Sequence, residues 1–453
     1  MHHFDANRVT PMTQPVVDAM VQWCNRSERE VRKMLEAFRE EVATECSFEK
    51  EQYAVVFTSG ASEANTCVVV GAVRAFAART GRMPHVVVSA AEHESLLGCC
   101  RALENDKMCL YTVLPVEQVG PEKAPEKGAE ASERIGLGCV SADALKAALR
   151  PNTCLVSIVA AHADTGVLSN LRALAAVARA AKVPFHTDAA QLFGRTALRP
   201  VVHGLDAFSA SFHKFGGPPG VGALVVSRAL LEGYSFAPFV CGAEYSGQNE
   251  GLRGGLENAP GLGASLSAFR HAMKGRAKKN ARLALLRDAV WAGLASRLPC
   301  FYAEEHPADQ PPSIDGGITP PPARAHRGTA EAQRALASAK KARTPVLFWV
   351  APRDRHLVLP NTLLLAVRLH GFSAREAQAA LEKQGVVVGL PTAGVGLALG
   401  LPAALRENLL RVSFCDGATG DDAKELVRAL YEFLTGSTTA SSSSKKRSHY
   451  HTS

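Results

Sequence analysis

Short apolar segments alternate with longer amphipathic segments along the first half of the chain. The apolar segments predict strands at residues 54–58, 85–89, 111–115, 154–160, 184–187, 207–211 and 222–226. Between them, segments such as 62–78 and 171–181 have apolar residues at helical spacing and predict helices. This alternation predicts an α/β fold in which helices cover both faces of a mostly parallel central sheet. Ligands of such sheets bind beyond the carboxyl ends of the strands.

The pattern changes after the last of these strands. A basic amphipathic segment at about 262–297 predicts one long helix. Further strands are predicted at 363–369, 386–388 and 410–414, with helices at 373–384 and 421–434. This mixture predicts a second, smaller α+β domain.

These patterns also predict how the chain is divided. Residues 13–270 are predicted to form the large domain, and residues 1–12 and 271–435 the small one. Residues 304–343, rich in Pro, Ala and Arg, are predicted to be an insertion or flexible loop, with a shorter insertion at 119–138. The low-complexity end, residues 436–453, is predicted to be a disordered tail.

Composition narrows the class of protein. The 453 residues are 47% hydrophobic and 21% charged, which suits a large globular core. Eleven cysteines, without a CxxC pair, argue against a disulfide scaffold and for a reducing compartment. There is no apolar signal segment and no run of about 18 apolar residues. A cytoplasmic protein without a membrane partner is expected, and a KKR sequence at 445–447 leaves the nucleus open.

The net charge of +8 does not indicate a nucleic-acid partner. The basic residues lie in clusters without interleaved aromatic residues and without a nucleic-acid-binding motif. We interpret them as solvated faces and tails. No metal site is predicted either.

The first predicted strand leads into a turn of small residues, in the sequence VVFTSGASEAN. Gly60, Ala61 and Ser62 lie where the next helix is predicted to begin. Free backbone N–H groups, the positive end of the helix dipole and the Ser62 hydroxyl together suit a phosphate. Most turns of this kind only cap a helix, so the motif is weak when taken alone.

Two other strand ends carry ionisable residues. In FHTDAAQ, Asp188 ends an apolar strand, where a protonated pyridine nitrogen could serve as its partner. Capping of the next helix explains Asp188 about as well. In SFHKFGGPPG, Lys214 follows a strand and precedes a Gly/Pro-rich turn. A lysine held there can form a Schiff base with a carbonyl, and Ser211 and His213 lie within reach of the same phosphate.

The three motifs, in this order on an α/β pattern, resemble the class V aminotransferase group of fold-type I pyridoxal phosphate enzymes. Within that group the chain resembles the cysteine desulfurases and selenocysteine lyases, since FDANRVTP, AEHES, LPNT and LRVSF match as well. HTDAAQ, HKFGGP and RGGLENAPGLG look closest to the selenocysteine lyase branch. The resemblance covers most of the chain outside the insertions and the tail. It implies a homodimer with pyridoxal 5'-phosphate as cofactor and a small amino acid as substrate.

The resemblance implies a role for each matched residue. Lys214 would hold the cofactor and move protons at the substrate carbon, while Asp188 would keep the ring nitrogen protonated. His93 would stack on the ring, although by itself it is typical of a surface histidine. The ring hydroxyl would be bound by Gln191, the phosphate by Ala61, Ser62, Ser211 and His213, and the substrate by Arg411 and Asn25.

The chain departs from the family pattern at four places. The family's mobile-loop cysteine would fall within residues 389–410, which contain no cysteine. Ala163 replaces the asparagine near the cofactor hydroxyl, Leu256 replaces a threonine that reaches across the dimer, and the substrate loop is shortened around Asn25. Cys415 lies four residues beyond Arg411, where a buried strand-end cysteine is expected rather than a substitute nucleophile.

We therefore expect a pyridoxal phosphate enzyme that removes sulfur or selenium from an amino acid. A desulfurase needs a thiolate to take sulfur as persulfide, whereas selenolate leaves more easily and depends less on a nucleophile. Two alternatives stay open. One is a homologue that has lost catalysis and acts as a binding partner, and the other is an aminotransferase or β-lyase on the same scaffold.

Overall fold

A computed structural model describes residues 1–118, 137–234, 236, 239–242, 248–302, 344–352, 354–401 and 403–436. The predicted insertion at 304–343, most of the shorter one at 119–138, and all but the first residue of the predicted tail lie outside these ranges. Among the described helices, none combines the length and the apolar character needed to cross a bilayer.

The strands and helices of the described residues are as follows. The strands are β1 (His2–Phe4), β2 (Tyr53–Thr58), β3 (His85–Ser89), β4 (Leu110–Leu114), β5 (Thr153–Ser157), β6 (Phe185–Asp188), β7 (Ala207–Ser211), β8 (Gly222–Ser227), β9 (Cys300–Tyr302), β10 (Val346–Trp349), β11 (Thr362–Arg368), β12 (Val386–Val388) and β13 (Leu409–Ser413). The helices are α1 (Gln14–Gln22), α2 (Glu28–Cys46), α3 (Ala61–Thr80), α4 (Glu94–Asn105), α5 (Ala142–Ala148), α6 (Leu171–Ala180), α7 (Pro200–His203), α8 (Arg228–Tyr234), α9 (Ala259–Met273), α10 (Arg276–Ala295), α11 (Ala374–Lys383), α12 (Val395–Ala398), α13 (Ala403–Arg406) and α14 (Gly420–Thr435).

A seven-stranded sheet has the strand order β2-β8-β7-β6-β5-β3-β4. Its neighbouring strands are parallel except at β8, which runs antiparallel to β2 and β7. Every residue of β3, β5, β6 and β7 is buried, as expected for parallel strands covered by helices on both faces. The predicted α/β fold with a mostly parallel sheet is confirmed.

The predicted strand ends of this sheet agree with the structure to within one residue, except at β5. That strand ends at Ser157, three residues before its predicted end at 160. Ile158 and Ala160 are buried although they lie beyond the strand. A run of apolar residues indicates a buried segment rather than a strand as such, and here the buried segment is longer than β5.

The prediction of one long helix at 262–297 is wrong. α9 ends at Met273 and α10 begins at Arg276. Between them Gly275 has a φ of 67°, a left-handed conformation that interrupts a right-handed helix. Apolar residues keep helical spacing on both sides of the break, so periodicity alone does not reveal it.

Two smaller sheets are formed by the chain ends. A four-stranded sheet has the order β13-β11-β10-β9, and β1 pairs in parallel with β12. From β1 the chain passes Ser413, whose carbonyl accepts a hydrogen bond from Ala6 N (3.1 Å). It then reaches the seven-stranded sheet, where Thr10 N donates to the His213 carbonyl (3.0 Å). Residues 5–10 therefore lie between the small sheets and the carboxyl edge of the large one.

An aromatic cluster fixes the turn that follows β7. Phe212 and Phe215, on either side of this turn, have ring centroids 5.5 Å apart. Phe215 also contacts Phe193 and Phe269, at 5.9 and 6.1 Å. Because such buried rings pack densely, they leave the backbone of this turn little freedom.

Candidate active site

The carboxyl ends of β6 and β7 carry the residues singled out in the sequence. Asp188 is the last residue of β6, and Ser211 is the last residue of β7. Lys214 follows in the short 3-10 helix Phe212–Phe215. Since β6 and β7 are neighbouring parallel strands, the topology brings these residues to the edge where such sheets bind ligands.

The Asp188 carboxylate is almost fully buried, with 4% of the residue exposed. One oxygen accepts a hydrogen bond from Asn65 Nδ2 (2.8 Å) and the other from Ala190 N (2.9 Å). Both donors are neutral, and no ion pair with a basic side chain is found for Asp188 within the described ranges. A buried carboxylate in this state favours a cationic partner such as a protonated ring nitrogen.

Lys214 is held by the N-terminal segment. Its Nζ donates hydrogen bonds to the carbonyls of Asn7 (2.6 Å) and Arg8 (3.1 Å). Burial, with smaller contributions from the charges of Arg195 and Arg411, lowers the pKa of Lys214 to about 8. A lysine with this pKa has an appreciable neutral fraction near neutral pH, and the neutral amine is the form that attacks a carbonyl.

The first turn of α3 lies beside the end of β7. Ser211 Oγ accepts a hydrogen bond from Ala61 N (2.8 Å), and Gly60 begins the helix without a side-chain cap. Gly222 of β8 packs so closely that a Cβ there would lie 2.5 Å from Gly60 Cα. The turn is therefore free of large side chains and open to an anion, with Ser62 exposed beside it.

His213, next to Lys214, contributes no positive charge. Burial, and then the charges of Lys214, Arg195 and His93, lower the pKa of His213 to about 4. A neutral imidazole can donate one hydrogen bond to a phosphate but does not balance its charge.

His93 belongs to the same hydrogen-bonded network as Asp188. It caps α4, and its Nδ1 accepts a hydrogen bond from Ser95 N (3.1 Å). Ser95 Oγ in turn accepts from Asn65 Nδ2 (3.1 Å), the amide that also holds Asp188. Because the histidine is exposed, a ring can approach it from the site.

A second network joins the N-terminal segment to the lysine turn. Gln191 Nε2 donates to the Asn7 carbonyl (2.9 Å), the same carbonyl that accepts from Lys214. Arg195 donates to Asn7 Oδ1 (2.6 Å), to the Ala6 carbonyl (2.9 Å) and to the Lys214 carbonyl (2.9 Å). Burial lowers the pKa of Arg195 to about 10, so it is still a cation at neutral pH. Arg195 therefore fixes a positive charge beside Lys214.

Arg411, in β13, has two carboxylate partners. Its Nη1 donates to Asp164 (2.5 Å) and its Nη2 to Asp5 (2.6 Å). Burial alone would lower the pKa of Arg411, but the carboxylates of Asp164 and Asp5 outweigh burial and raise it. The role expected for Arg411, binding the substrate carboxylate, stays a prediction, and a substrate would meet these two partners there.

The other predicted positions contribute no side chain to these networks. Asn25 occupies an exposed turn between α1 and α2, and its role stays a prediction. Leu256 is 93% exposed. Ala163 contributes only its backbone, since its carbonyl accepts a hydrogen bond from Asn7 Nδ2 (2.9 Å).

The segment between β12 and β13 contains α12 and α13 and no cysteine. Cys415, just beyond β13, is half-buried and lines a cavity of about 30 Å³ together with Lys214 and Arg195. That volume holds only about two water molecules. Within the described ranges no cluster of His, Cys, Asp and Glu side chains is suited to a metal ion.

Sequence reasoning missed several residues of the site. They are Asn7, Asn65, Glu92, Asp164 and Arg195. Weak signals were present, because Asn65 and Arg195 lie one helical turn after the predicted residues Ser62 and Gln191, and Asp164 follows Ala163. Glu92 precedes His93 and is buried in the turn between β3 and α4.

Glu92 is expected to make stability fall as pH rises. Burial raises the pKa of Glu92 to about 8 from the ordinary 4.5, although Oε1 accepts hydrogen bonds from Ser89 Oγ (2.5 Å) and Val159 N (2.7 Å). The folded state thus keeps a proton that the unfolded chain releases, so this stabilisation is greatest below pH 4.5 and is lost by about pH 8.

Thermal unfolding of the wild type and of Glu92→Gln measures this effect. As the pH rises from about 5 to 9, the wild type should lose stability that the variant keeps. The difference between their free energies of unfolding should therefore shift in favour of the variant by roughly 2–5 kcal/mol. The exposed Glu40→Gln serves as the control and should follow the wild type. Parallel profiles for Glu92→Gln and the wild type would show that Glu92 is ionised in the folded state.

Comparison with known proteins identifies the family. The model of the Aminotransferase class-V family matches residues 10–314, and the chain belongs to this family. Members of the family use pyridoxal phosphate. The membership predicted from the motifs is therefore confirmed.

Curated relatives are cysteine desulfurases. The mitochondrial cysteine desulfurase of Drosophila melanogaster is 33% identical over 277 residues, which cover 58% of this chain and 54% of the relative. That of Arthroderma benhamiae is 32% identical over 269 residues, covering 57% and 48%. The match spans about half the length of these two relatives. Cysteine desulfurase IscS of Dictyoglomus turgidum is 30% identical over 310 residues, covering 66% of this chain and 71% of the relative.

Solved structures share the fold. A NifS-like protein has a TM-score of 0.71 at 20% identity, covering 96% of this chain and 99% of its own. An apo cysteine desulfurase from Thermococcus onnurineus has a TM-score of 0.69 at 17% identity, covering 96% and 94%. SspA in complex with cysteine has a TM-score of 0.59 at 22% identity, covering 92% and 100%.

The described residues fit pyridoxal phosphate. The edge of the sheet offers a buried carboxylate at Asp188 whose hydrogen-bond donors are neutral, an amine with a lowered pKa at Lys214, and a helix N-terminus without a side-chain cap at Gly60. These are complementary to a protonated ring nitrogen, an aldehyde and a phosphate, respectively.

Proposed function

We propose that this protein is a pyridoxal phosphate enzyme that removes selenium or sulfur from a small amino acid, as a selenocysteine lyase or cysteine desulfurase does. The observation that carries the proposal is that Lys214, whose pKa is lowered, and the buried Asp188, whose hydrogen-bond donors are neutral, lie at the same edge of the sheet. The cysteine desulfurases among its relatives, and the cysteine bound to SspA, favour a substrate of this size and chemistry.

Each residue would contribute one defined task. When bound, the cofactor supplies an electron sink next to the substrate α-carbon. Lys214 Nζ would remove the proton from that carbon and return a proton later, for which a pKa of about 8 is suitable. Asp188 would hold the proton on the ring nitrogen, and Asn65 orients Asp188 through its 2.8 Å hydrogen bond. Gln191 and His93 would position the ring, while Ala61 N, Ser62 and Ser211 would bind the phosphate.

The absence of a cysteine in the loop where the family has one favours removal of selenium over removal of sulfur. A cysteine desulfurase needs a thiolate nucleophile, and residues 389–410 contain no cysteine. Cys415 is half-buried just beyond β13, where a structural cysteine is expected, so we do not give it that role. Removal of selenium depends less on a protein nucleophile, because the carbon–selenium bond is weaker than the carbon–sulfur bond and selenium can depart as the neutral element. In this reaction the carbon–selenium bond breaks with its electron pair staying on the β-carbon, the β-carbon takes up a proton while the selenol loses one, and alanine and elemental selenium are formed.

Product analysis tests the proposed reaction. The purified, cofactor-loaded protein is incubated with L-selenocysteine or L-cysteine and a thiol reductant, which converts the released chalcogen to selenide or sulfide. We expect selenide and alanine in equal amounts, and at least about tenfold less sulfide from cysteine. Pyruvate as the main product would indicate a β-lyase, and an aminated cofactor an aminotransferase. Binding of amino acids without any product would favour a catalytically inactive relative.

We propose that the protein is a homodimer. Three apolar side chains are exposed on neighbouring segments: Leu256 at 93%, Phe239 at 38% and Val240 at 37%. Gly254 N donates to the Val240 carbonyl (2.8 Å), which places the segments side by side. Adjacent exposed apolar residues are typical of a protein interface.

Replacing Leu256 with Glu should convert dimer to monomer at about 10 µM protein, because burial of a charge at the interface is unfavourable. Light scattering after size exclusion measures the mass. Leu285→Glu, at an exposed leucine of α10, is the control and should stay dimeric. A monomeric wild type would contradict the prediction.

A further inference from the structure

Arg195 is a half-buried cation whose hydrogen-bond acceptors are all neutral. Its Nη1 donates to Asn7 Oδ1 (2.6 Å), and its Nη2 donates to the carbonyls of Ala6 and Lys214 (both 2.9 Å). Its own carbonyl accepts a hydrogen bond from Asn280 Nδ2 (2.7 Å), which fixes the backbone. Within the described ranges Arg195 forms no ion pair with a carboxylate, so no direct partner neutralises its charge.

Two other basic side chains of the cavity that Arg195 lines have acidic partners. Arg276 pairs with Glu45, and Lys279 pairs with Asp416 at 3.2 Å. Burial lowers the pKa of Arg195 to about 10, and Asp416 opposes this effect only in part. At neutral pH the guanidinium of Arg195 is therefore a fixed positive charge that the neighbouring acids leave available to act on Lys214.

Arg195 and Lys214 are held by the same residue of the N-terminal segment. The Asn7 carbonyl accepts a hydrogen bond from Lys214 Nζ (2.6 Å), while Asn7 Oδ1 accepts from Arg195 (2.6 Å). Asn7 is 1% exposed, and it donates to the hydroxyls of Thr362 (2.8 Å) and Ser413 (2.9 Å). Two cations are thus fixed close together, and repulsion between like charges favours loss of a proton from the weaker base, the lysine.

Other ionisable groups also act on Lys214. Besides Arg195 they are Arg411 of β13, Asp188 of β6, Asp5 of the N-terminal segment and the adjacent His213. Arg411 acts in the same direction as Arg195, whereas both aspartates act in the opposite direction. His213 is neutral near pH 7. Burial has the largest effect, the charge of Arg195 the next, and together these groups lower the pKa of Lys214 to about 8.

We propose that Arg195 is a positioning residue for the amine of Lys214: its guanidinium fixes residues 6 and 7 against the lysine turn, and its positive charge keeps Nζ uncharged. The inference rests on the proposed function and deepens it. Only an uncharged amine has the electron pair that attacks the cofactor aldehyde, with release of one water molecule, or that takes a proton from the substrate α-carbon. Arg195 acts through Lys214 and is not itself a catalytic residue.

Competitive labelling measures the charge of Lys214 without any cofactor. The full-length, cofactor-free protein is treated with a trace of acetic anhydride between about pH 6 and pH 11, and mass spectrometry quantifies acetylation of each lysine. Only the uncharged amine forms the amide, with release of acetic acid. The midpoint for Lys214 should lie near pH 8 in the wild type. Arg195→Gln should raise it by about one pH unit or more, which lowers labelling at neutral pH about tenfold.

Three further variants separate charge from structure. Arg195→Lys keeps the positive charge and should keep the midpoint within about 0.3 pH units, although lysine lacks the fork of the guanidinium. Arg276→Gln removes the same charge from the same cavity, where Glu45 balances it, and should also leave the midpoint unchanged. Arg195→Met is the second uncharged variant if Arg195→Gln does not fold, and circular dichroism confirms the fold of each variant. A purely structural role would lower the melting temperature of these Arg195 variants without moving the midpoint.

A wild-type midpoint close to the ordinary 10.5, or an unshifted midpoint in a folded Arg195→Gln variant, would overturn the inference. Cofactor capture separates this result from a failure of the proposed function. After addition of pyridoxal phosphate, visible absorbance should appear about tenfold more slowly in Arg195→Gln than in the wild type at neutral pH, and at similar rates near pH 10. A wild type that captures no cofactor, although the midpoint shifts as expected, would overturn the proposed function and leave the effect of Arg195 on Lys214 in place.

Discussion

Replacing Lys214 with Ala abolishes the visible absorbance of the cofactor-loaded protein and lowers turnover at least about 1000-fold. Lys214 provides the amine with the lowered pKa at the carboxyl edge of the sheet, and its Nζ is held by the carbonyls of Asn7 and Arg8. Alanine cannot attach an aldehyde or move a proton at the α-carbon. The absorbance spectrum and the rate of selenide release measure the two losses.

Lys279→Ala is the matched control for this prediction. Lys279 lines the same small cavity but is paired with Asp416 at 3.2 Å. Its replacement should leave the spectrum unchanged. A second control, Lys214→Arg, keeps the charge and should lose the absorbance just as Lys214→Ala does, since a guanidinium does not form the linkage. Unchanged absorbance in Lys214→Ala would remove the basis of the assignment.

Replacing Asp188 with Asn lowers turnover at least about 100-fold while some cofactor still binds. Asn can accept the hydrogen bond from Ala190 N, so the local backbone should persist. It carries no charge to hold a proton on the ring nitrogen, and a neutral ring is a poorer electron sink. Steady-state kinetics and the visible spectrum, recorded against pH, separate slower chemistry from weaker cofactor binding.

Asp206→Asn controls for the removal of a half-buried carboxylate from the same sheet. Asp206 Oδ2 accepts a hydrogen bond from Phe185 N (2.8 Å) at the opposite ends of β6 and β7. Burial raises the pKa of Asp206. We expect this variant to lose no more than about threefold in turnover. Equal losses in Asp188→Asn and Asp206→Asn would indicate a structural role for Asp188 rather than an electronic one.

The sequence predicted the fold well wherever the hydrophobic pattern is compatible with only one type of secondary structure. β3 and β7 have the predicted ends because buried parallel strands appear as continuous apolar runs between polar turns. The break at Gly275 was missed because amphipathic spacing continues across it. The division into two domains stays a prediction.

The same contrast applies to the candidate site. Asp188 and Lys214 could be found because one ends a strand and the other lies just beyond a strand, and the sheet topology then brings them to one edge. Contacts across long sequence separations could not be found in this way. Asp164 meets Arg411 over 247 positions, and Arg195 meets Asn7 over 188. Only the packing of the N-terminal segment and β13 against the large sheet reveals these partners.

Lys214 is the residue expected to carry the cofactor. Wild-type protein loaded with pyridoxal phosphate is reduced with borohydride, which makes a lysine–cofactor linkage permanent, and is then digested and mapped by mass spectrometry. We expect one modified peptide, labelled at Lys214. Label at another lysine, or an unlabelled protein, would contradict it.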